Sequence, residues 1–393
     1  MRIGIAQLGR VAEDTGGRNY LVNFLSGIRV LGGEHEFVLF LSEGESALLG
    51  VRQTSGLEIV EISDSKRTPL HKVWGEQWKL PGRLKKAKLD IVYYPGNFAA
   101  YRTPVPYVVN IRGMAHYYGA EYGVDLLRRS IRKLIMPFSV RRAARVITPS
   151  HDIQNDVIKF IGCDIAKMQV IAHGVDTSLF DGDANRNDLA SLDVLRKFDL
   201  VTGGYLLYAS ALWPYKNQAT LIKAHHEVVQ SGRSELHLVL AGKGTGTDES
   251  YARSLHALAD ELGTSHLVHF TGQLAQTELR YLYAHALTFV FPSLYESFGN
   301  PIFEAWSSGI PIVASKVHSF PEIVGDAGLL VDALSTKEMA SAIAKIIDNQ
   351  ELRVQLISRG KARVGSFTWE KCVIATLRLI EQAALRECAP PKA

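Results

Sequence analysis

Two glutamates in the second half of the chain, Glu296 and Glu304, flank a predicted helix start. Asn300 is a residue type that caps helices, so the spacing predicts that Glu304 lies one turn inside the helix and Glu296 in the preceding loop. Carboxylates placed in this way can accept hydrogen bonds from several hydroxyl groups, and the backbone N–H groups of Phe298 and Gly299 can meet a sugar or a phosphate. The alternative is an ordinary capped helix whose first-turn glutamate complements the helix dipole.

Two further strand-to-helix turns carry residues suited to a phosphate ligand. Lys216 comes just before a predicted helix over 218–230 that Asn217 would cap, so its charge adds to the positive end of the helix dipole. Gly16 and Gly17 precede a predicted helix over 18–30, and their lack of a side chain lets the backbone approach a ligand. A lone lysine is often only solvated and a Gly-Gly turn can be merely flexible, so each turn taken alone leaves both readings open.

Short apolar runs, alternating with amphipathic stretches, are the elements that must position these turns. This alternation is typical of parallel sheets with crossover helices, so we predict an α/β protein with two doubly wound, Rossmann-like domains. In such sheets ligands bind beyond the carboxyl ends of the strands, where all three turns fall. The predicted strands are 2–7, 37–42, 58–62, 91–95, 107–111, 145–150, 169–172, 205–210, 237–242, 268–272, 287–293, 311–315 and 328–332.

The apolar runs stop in a polar stretch over 181–198, which predicts the break between the domains and a hinge for closure over a ligand. We therefore expect an N-terminal domain over 1–182 and a C-terminal domain over 198–370. A last helical stretch runs from Trp369 to Arg386.

The composition is that of a soluble globular enzyme, with 393 residues of which 47% are hydrophobic and 21% charged. No apolar stretch reaches the roughly 18 residues that a membrane-spanning helix needs. The first residues predict a buried strand rather than a signal peptide. The three cysteines (Cys163, Cys372 and Cys388) fit neither a disulfide framework nor a zinc spacing, so we expect a cytoplasmic protein.

Positive charge is concentrated in the first half of the chain. Residues 1–180 hold 24 Lys and Arg against 17 Asp and Glu, a balance of +7, and the remainder holds 20 against 23, a balance of −3. Basic residues mix with Trp74 and Trp78 over 66–88 and recur over 128–145. This pattern predicts peripheral docking on the anionic inner face of the plasma membrane, with a solvated basic face as the alternative. No nucleic-acid recognition module is visible.

The motifs around these turns are similar to those of glycosyltransferase family 4. Glu296 and Glu304 match the E-x7-E motif of that family, within a stretch from Phe270 to Glu370 that follows the family pattern closely. The resemblance spans almost the whole chain and is loosest over 30–140. Other matching segments are Gly16-Gly17, His173-Gly174-Val175-Asp176, Pro214-Tyr215-Lys216-Asn217, Phe291-Pro292-Ser293, Gly309-Ile310-Pro311 and Pro321-Glu322-Ile323-Val324.

The resemblance implies a GT-B fold, with the donor on the C-terminal domain, the acceptor on the N-terminal domain and a C-terminal helix over 371–390 that packs back on the latter. It also implies retention of the anomeric configuration, no essential metal and no cofactor other than a UDP- or GDP-linked sugar donor. A metal-free reaction agrees with the absence of an Asp-x-Asp signature at a predicted strand end. A lysine and helix dipoles can stabilise a leaving phosphate in place of a metal ion.

Carried over residue by residue, the resemblance implies a donor site. Glu304 would hold the ribose hydroxyls, Glu296 the transferred sugar and Lys216 the diphosphate. The remaining donor contacts would come from Phe298, Gly299, Asn300, Gly16, Gly17, Gly242 and Lys243.

Three positions depart from the family pattern. Ala211 stands where many members have an arginine, so neutralisation of the phosphates depends more on Lys216. His173 replaces the asparagine of an Asn-Gly-Val-Asp turn. After the fifth strand, where many members carry a catalytic His-Asp pair, this chain offers Arg112 and His116. Either of the two takes that catalytic place, or His116 is an ordinary surface histidine.

We therefore expect a retaining glycosyltransferase that moves a hexose to a hydroxyl of a bacterial surface glycan, such as lipopolysaccharide, O-antigen or exopolysaccharide. One alternative is a GT-B-fold sugar-nucleotide epimerase, against which the E-x7-E region argues. Another is a non-catalytic sugar-binding scaffold, against which the charged residues Glu296, Glu304 and Lys216 argue. The glycines over 242–246 do not have G-x-G-x-x-G spacing and no acidic residue ends the next strand, which argues against NAD or FAD.

Overall fold

The computed structural model describes residues 1–9, 11, 15–63, 75–119, 126–244 and 250–387. These residues form two compact units. The first unit comprises the described residues up to Gly174, apart from Gly119, and those from Thr368 onward. The second unit comprises Gly119 and the described residues of Val175–Phe367.

The first unit is built on a seven-stranded sheet in the order β3-β2-β1-β4-β5-β6-β7, in which every neighbouring pair is parallel. Strands β1, β4 and β5 are buried on both faces, which explains why they read as continuous apolar runs rather than as alternating ones. The strands are β1 (Arg2–Gln7), β2 (Glu36–Ser42), β3 (Leu57–Ile62), β4 (Ile91–Tyr94), β5 (Tyr107–Asn110), β6 (Arg145–Thr148) and β7 (Met168–Val170).

Within the described residues, six helices connect these strands. The third follows directly on a π-helical turn over Gly75–Lys79. They are α1 (Thr15–Leu31), α2 (Glu45–Leu49), α3 (Leu80–Lys86), α4 (Ala115–Tyr118), α5 (Leu126–Arg141) and α6 (His151–Ile161).

The second unit has a six-stranded parallel sheet in the order β10-β9-β8-β11-β12-β13. Its strands are β8 (Tyr205–Ala209), β9 (His237–Ala241), β10 (Val268–Gly272), β11 (Thr288–Phe291), β12 (Ile312–Ser315) and β13 (Leu329–Val331). Its helices are α7 (Gly182–Asn187), α8 (Ala190–Lys197), α9 (Gln218–Gln230), α10 (Ser250–Glu261), α11 (Gln276–His285), α12 (Asn300–Ser307), α13 (Phe320–Val324), α14 (Thr336–Asp348) and α15 (Gln350–Val364).

The last helix, α16 (Trp369–Glu387), belongs to the first unit although it follows the second in sequence. Val373 and Ile380 join the core that Ile3 and Phe24 form in that unit. Gly27 of α1 lets α16 come close, because a Cβ at that position would lie 2.6 Å from a Cγ2 of Val373.

The strand order reverses between β1 and β4 in the first sheet and between β8 and β11 in the second. At such switch points the connections leave a sheet in opposite directions, so a crevice opens beyond the carboxyl ends of the two strands. All thirteen predicted strands are present, and the predicted α/β fold with two doubly wound parallel sheets is confirmed.

The chain passes into the second unit at Gly174–Val175, ahead of the predicted break over 181–198. That polar stretch forms α7 and α8, and Asp181 caps α7 by accepting from the N–H groups of Asp183 and Ala184. Arg186 Nε donates to the carbonyl of Ala284 on α11 at 2.6 Å. The stretch is therefore part of the second unit, because its polar side chains satisfy helix ends and carbonyls there.

None of the described helices combines the length and the apolar character that crossing a membrane requires.

His225 on α9 provides a test of the packing of the second unit. Its side chain is fully buried, its Nε2 donates to the carbonyl of Leu236 at 2.7 Å, and its Nδ1 has no hydrogen-bond partner among the described residues. Burial lowers the pKa of His225 to about 4. Since this value is below that of an unfolded histidine, the unfolded chain takes up the proton first as the pH falls.

The stabilisation that comes from the neutral imidazole is therefore complete above about pH 6.5 and is lost as the pH falls toward 4, by about 3 kcal/mol. We expect His225→Gln, which keeps a donor for Leu236 but cannot titrate, to show a shallower decrease in the free energy of unfolding between pH 7 and pH 4. Urea unfolding at several pH values measures this difference. Equal pH slopes for the two proteins would contradict the burial of a neutral His225.

Candidate functional site

A buried ion pair lies at the switch point of the second sheet. Lys216 lies in a 3₁₀ turn over Pro214–Lys216, in the connection between β8 and α9, and Glu296 lies in the loop after β11. Lys216 Nζ donates to Glu296 Oε1, and the two side chains are only 11% and 12% exposed. The structure thus brings together the two charged residues that the sequence predicts for the diphosphate and the transferred sugar.

Two serines hold Glu296 in place. Ser293 Oγ donates to Glu296 Oε1 at 2.9 Å, and Ser319 Oγ donates to the Glu296 carbonyl at 3.0 Å. Both serines are fully buried, so these bonds are formed away from water. The sequence analysis predicted this role for neither serine, although Ser293 lies in one of the segments that match the family pattern. Serine is common in turns, and only the folded chain shows where its hydroxyl points.

Lys216 remains charged in this setting. Burial by itself would lower its pKa, but the attraction and the hydrogen bond of Glu296 outweigh burial and raise the pKa of Lys216 above its usual value. Its Nζ also lies 5.1 Å from the ring centroid of Phe291 and 5.3 Å from that of Tyr215, within the range of cation–π attraction. A fixed positive charge in a dry environment is suited to an anionic ligand such as a phosphate.

Asn217 organises the turn that carries Lys216. It occupies the predicted N-cap position of α9, with a φ of 62°, but its side chain makes no capping hydrogen bond. Its Nδ2 instead donates to the carbonyls of Pro292 at 3.0 Å and Ala333 at 2.7 Å. These bonds tie the Lys216 turn to the ends of β11 and β13, an arrangement that residue type alone does not predict.

Glu304 lies on α12, the helix that begins after the Glu296 loop, and is partly buried. Burial raises the pKa of Glu304 to about 7, although a hydrogen bond from Tyr283 favours the ionised form. A carboxyl group in this state can accept hydrogen bonds from a pair of ligand hydroxyls once it has lost its proton. The structure therefore places Glu304 where the sequence predicts it, one turn inside the helix.

The start of α12 differs from the prediction in one respect. Gly299, not Asn300, takes the N-cap position, and Asn300 is the exposed first residue of the helix, so its predicted capping role is wrong. Gly299 has a φ of 88°, and a Cβ there would lie 2.6 Å from the Phe320 ring. Phe298 is buried and stacks on Phe303 with ring centroids 5.2 Å apart, which fixes the loop from the inside.

Gly242 joins the loops that follow β8 and β9. A Cβ on Gly242 would lie only 1.9 Å from the carbonyl oxygen of Ser210, so no other residue fits there. The N–H of Leu212 donates to the carbonyl of Lys243 at 3.0 Å, which holds the two loops together. The Lys243 side chain is exposed, and the glycine-rich segment continues into residues that lie outside the described part of the chain.

In the first unit, Gly16 and Gly17 lie in the first turn of α1, which starts at Thr15 and so begins three residues before the predicted start. Gly17 is buried and Gly16 is exposed. The two glycines therefore follow β1, one of the two strands at the switch point of the first sheet.

Arg112 and His116, the two candidates for the remaining catalytic position, lie in the first unit after β5. The Arg112 guanidinium is 5.7 Å from the ring centroid of Tyr20, and the backbone N–H of Arg112 donates to Asn97 Oδ1 at 2.7 Å. His116 is 3% exposed, so the alternative of a surface histidine is wrong. Burial, with added repulsion from nearby basic side chains, lowers the pKa of His116 to about 3, so its imidazole is neutral near pH 7.

Two family models match this chain. One, described as Glycosyltransferase Family 4, matches residues 15–179, and the other, described as Glycosyl transferases group 1, matches residues 197–363. Among the described residues, the first match lies in the first unit except for Gly119 and the last few residues of the match. The second match lies entirely in the second unit.

Among curated proteins, the chain is 35% identical over 192 residues to O-antigen chain mannosyltransferase B of Escherichia coli, covering 49% of each protein. It is 28% identical over 296 residues to a D-inositol 3-phosphate glycosyltransferase of Acidothermus cellulolyticus, covering 73% of this chain and 64% of that protein. The chain thus spans between about half and two thirds of the length of these relatives.

Among solved structures, the chain resembles that of Anabaena Alr3699/HepE in complex with UDP and glucose, with a TM-score of 0.71 and 19% identity. The match covers 96% of this chain and 99% of the other. At this identity the likeness concerns the fold, and it agrees with the predicted GT-B architecture of two parallel-sheet α/β domains.

Gly299→Ala tests the geometry of the α12 start. Because alanine is strained at a φ of 88° and its Cβ would meet Phe320, we expect a loss of more than about 1 kcal/mol in the free energy of unfolding. The control is Gly365→Ala, where φ is −61° and the nearest atom to a new Cβ is 3.6 Å away. Thermal unfolding of both variants measures the effect, and equal stability would show that the loop does not depend on the glycine.

Proposed function

This chain belongs to glycosyltransferase family 4, and on that basis we propose that it is a retaining, metal-independent enzyme that transfers a hexose from a UDP- or GDP-sugar to a hydroxyl of a surface glycan. The observation that carries the proposal is the buried Lys216–Glu296 ion pair at the switch point of the second sheet. No cofactor other than the nucleotide-sugar donor takes part in the proposed reaction.

When the donor binds, it gives Lys216 and Glu296 new partners in place of each other. Its diphosphate accepts from Lys216 Nζ, and hydroxyls of its sugar donate to Glu296, whose Oε1 still accepts from Ser293 Oγ. Each charge-assisted hydrogen bond of this kind contributes about 1.5–3 kcal/mol. The exchange leaves no buried charge without a partner, which is the condition under which a buried pair can open.

Glu304 binds the nucleoside part of the donor. In its ionised form it accepts from the two ribose hydroxyls. The first turn of α12 adds backbone N–H groups at the positive end of the helix dipole, which favours a negatively charged ligand there.

In the transfer step, the bond between the anomeric carbon and the phosphate oxygen breaks and a bond to the acceptor oxygen forms. The acceptor's proton passes to the leaving phosphate, so no separate general base is needed. Lys216 stabilises the negative charge that develops on that phosphate, a role that a metal ion takes in other transferases.

The names of the relatives suggest which substrates to test first. The E. coli relative is named as an O-antigen chain mannosyltransferase, which supports mannose as the transferred sugar and a surface glycan as the acceptor. The Acidothermus relative is named as a D-inositol 3-phosphate glycosyltransferase and is matched over more of this chain, which supports a phosphorylated polyol as a second candidate acceptor.

We expect a UDP- or GDP-sugar to raise the melting temperature in a panel that also contains ADP- and CMP-sugars and NAD, with GDP-mannose tested first. A ligand that binds only the folded state stabilises it in proportion to the logarithm of its concentration over its dissociation constant, so millimolar ligand reveals weak donors.

Glu304→Ala should weaken donor binding about tenfold or more because the ribose loses its acceptor. Glu261→Ala, which removes an exposed glutamate on α10, is the matched control.

If no nucleotide sugar shifts the melting temperature, the donor-binding role is wrong. If a donor binds and its sugar changes configuration without reaching any acceptor, the epimerase alternative replaces the transferase.

Lys216→Ala should act mainly on turnover. Removing the charge that stabilises the leaving phosphate should lower kcat by about 10²–10³, with a smaller change in donor affinity. Combining it with Glu296→Gln avoids an unpaired buried carboxylate and checks that misfolding is not the cause. Lys223→Ala on the exposed face of α9 is the control, and wild-type kinetics in Lys216→Ala would remove Lys216 from the mechanism.

A further inference from the structure

The first unit carries an exposed apolar surface, here named the α5 patch and formed by Trp78, Tyr101, Leu134 and Phe138. These side chains are 64%, 50%, 67% and 49% exposed. Soluble proteins seldom leave several large apolar side chains exposed in one place, and such a surface usually marks an interaction site.

Side-chain contacts join three separate segments into this patch. Tyr101 and Phe138 meet edge to face with ring centroids 5.7 Å apart. Gln77, beside Trp78 in the π-helical turn, accepts from the N–H of Tyr101 through its Oε1 at 2.7 Å. The two basic-aromatic stretches of the sequence, represented here by Trp78 and by α5, therefore share one face, while Trp74 and residues 66–72 lie outside the described part of the chain.

The patch has an apolar depression rather than a flat surface. A groove of about 330 Å³ opens between Tyr101, Leu134 and Phe138, and Ala99, Ile131 and Ile135 also line it. Leu134 and Phe138 are four residues apart on α5 and are both exposed, so they form one stripe along the helix.

Arginines lie against the aromatic members of the patch. The Arg142 guanidinium is 4.8 Å from the ring centroid of Tyr101, and that of Arg102 is 5.6 Å from the ring centroid of Trp78. Each guanidinium therefore lies beside a largely apolar ring, so that positive charge and apolar surface are adjacent. This combination suits the boundary between lipid headgroups and acyl chains. The last turn of α3 adds Arg83, Lys85 and Lys86 after the turn that carries Trp78.

We propose that the α5 patch docks on the surface of an anionic lipid bilayer, with Trp78, Leu134 and Phe138 entering the acyl boundary and Arg102 and Arg142 contacting lipid phosphates. An anionic bilayer offers both of the partners that the patch needs, since apolar chains lie directly beneath negative charges. A second copy of this chain would instead place like-charged arginines face to face. The proposal concerns the first unit alone and does not depend on the proposed transfer reaction.

The test is co-sedimentation of the full chain, without donor or acceptor, with vesicles of phosphatidylcholine alone or mixed with phosphatidylglycerol. We expect binding to the mixed vesicles only, and weaker binding at higher salt. Each of Arg102→Glu and Arg142→Glu should weaken binding at least about fivefold, the factor that corresponds to one lost cation near an anionic surface. Leu134→Ser combined with Phe138→Ser should weaken it about tenfold or more.

Matched controls make the same chemical changes at exposed positions elsewhere. Arg52→Glu controls for charge, and Leu189→Ser, at a leucine that is 80% exposed, controls for lost apolar surface. Unchanged melting temperatures establish that the variants are folded. The proposal is overturned if the chain binds neither kind of vesicle, or if the patch variants bind as well as the controls. A dimer that is lost in the Leu134→Ser/Phe138→Ser variant, without vesicle binding, would instead identify the patch as a contact between copies.

Discussion

Burying a lysine and a glutamate together is unfavourable unless the two charges are paired and their remaining polar atoms form hydrogen bonds. The site in the second unit meets this condition with Lys216 and Glu296 paired, Ser293 on the carboxylate and the rings of Tyr215 and Phe291 beside the ammonium. The dry surroundings that make the pair costly also strengthen the interaction of Lys216 with a phosphate that replaces Glu296. The local structure around the site serves to keep these two charges in place.

The sheet topology makes this arrangement possible. Because β8 and β11 are neighbours at the reversal of strand order, the loops that follow them open toward the same crevice. Asn217 then fixes the β8 loop to the ends of β11 and β13 through two carbonyls. At Gly242 and Gly299 the absence of a side chain leaves room for the neighbouring atoms, because a Cβ there would lie 1.9 Å from the Ser210 carbonyl oxygen and 2.6 Å from the Phe320 ring. The geometry of the site therefore depends on these two glycines as well as on the charged residues.

The first unit uses its polar residues differently. Tyr20 and Tyr93 are buried with their hydroxyls 2.6 Å apart, and Asn110 Nδ2 donates to the Tyr93 hydroxyl at 3.2 Å. Arg112 lies over Tyr20, and its charge adds to the effect of burial in lowering the pKa of His173 to about 3. His116 also has a pKa lowered to about 3, so the histidines beyond β5 and β7 are neutral near pH 7. A neutral imidazole can accept or donate a hydrogen bond but carries no charge to a ligand.

The sequence alone determined the thirteen strands, the parallel sheets and the loops that carry Lys216, Glu296 and Glu304, because apolar periodicity and turn chemistry are local properties. Only the tertiary structure decided that Asn217 binds distant carbonyls, that Gly299 rather than Asn300 begins α12, that 181–198 is helical and that His116 is buried. It also decided which serines support Glu296, a residue that lies 80 positions from its partner Lys216. Hydrogen-bond direction, burial and pKa depend on atoms that long chain segments bring together, and no short stretch of sequence contains that information.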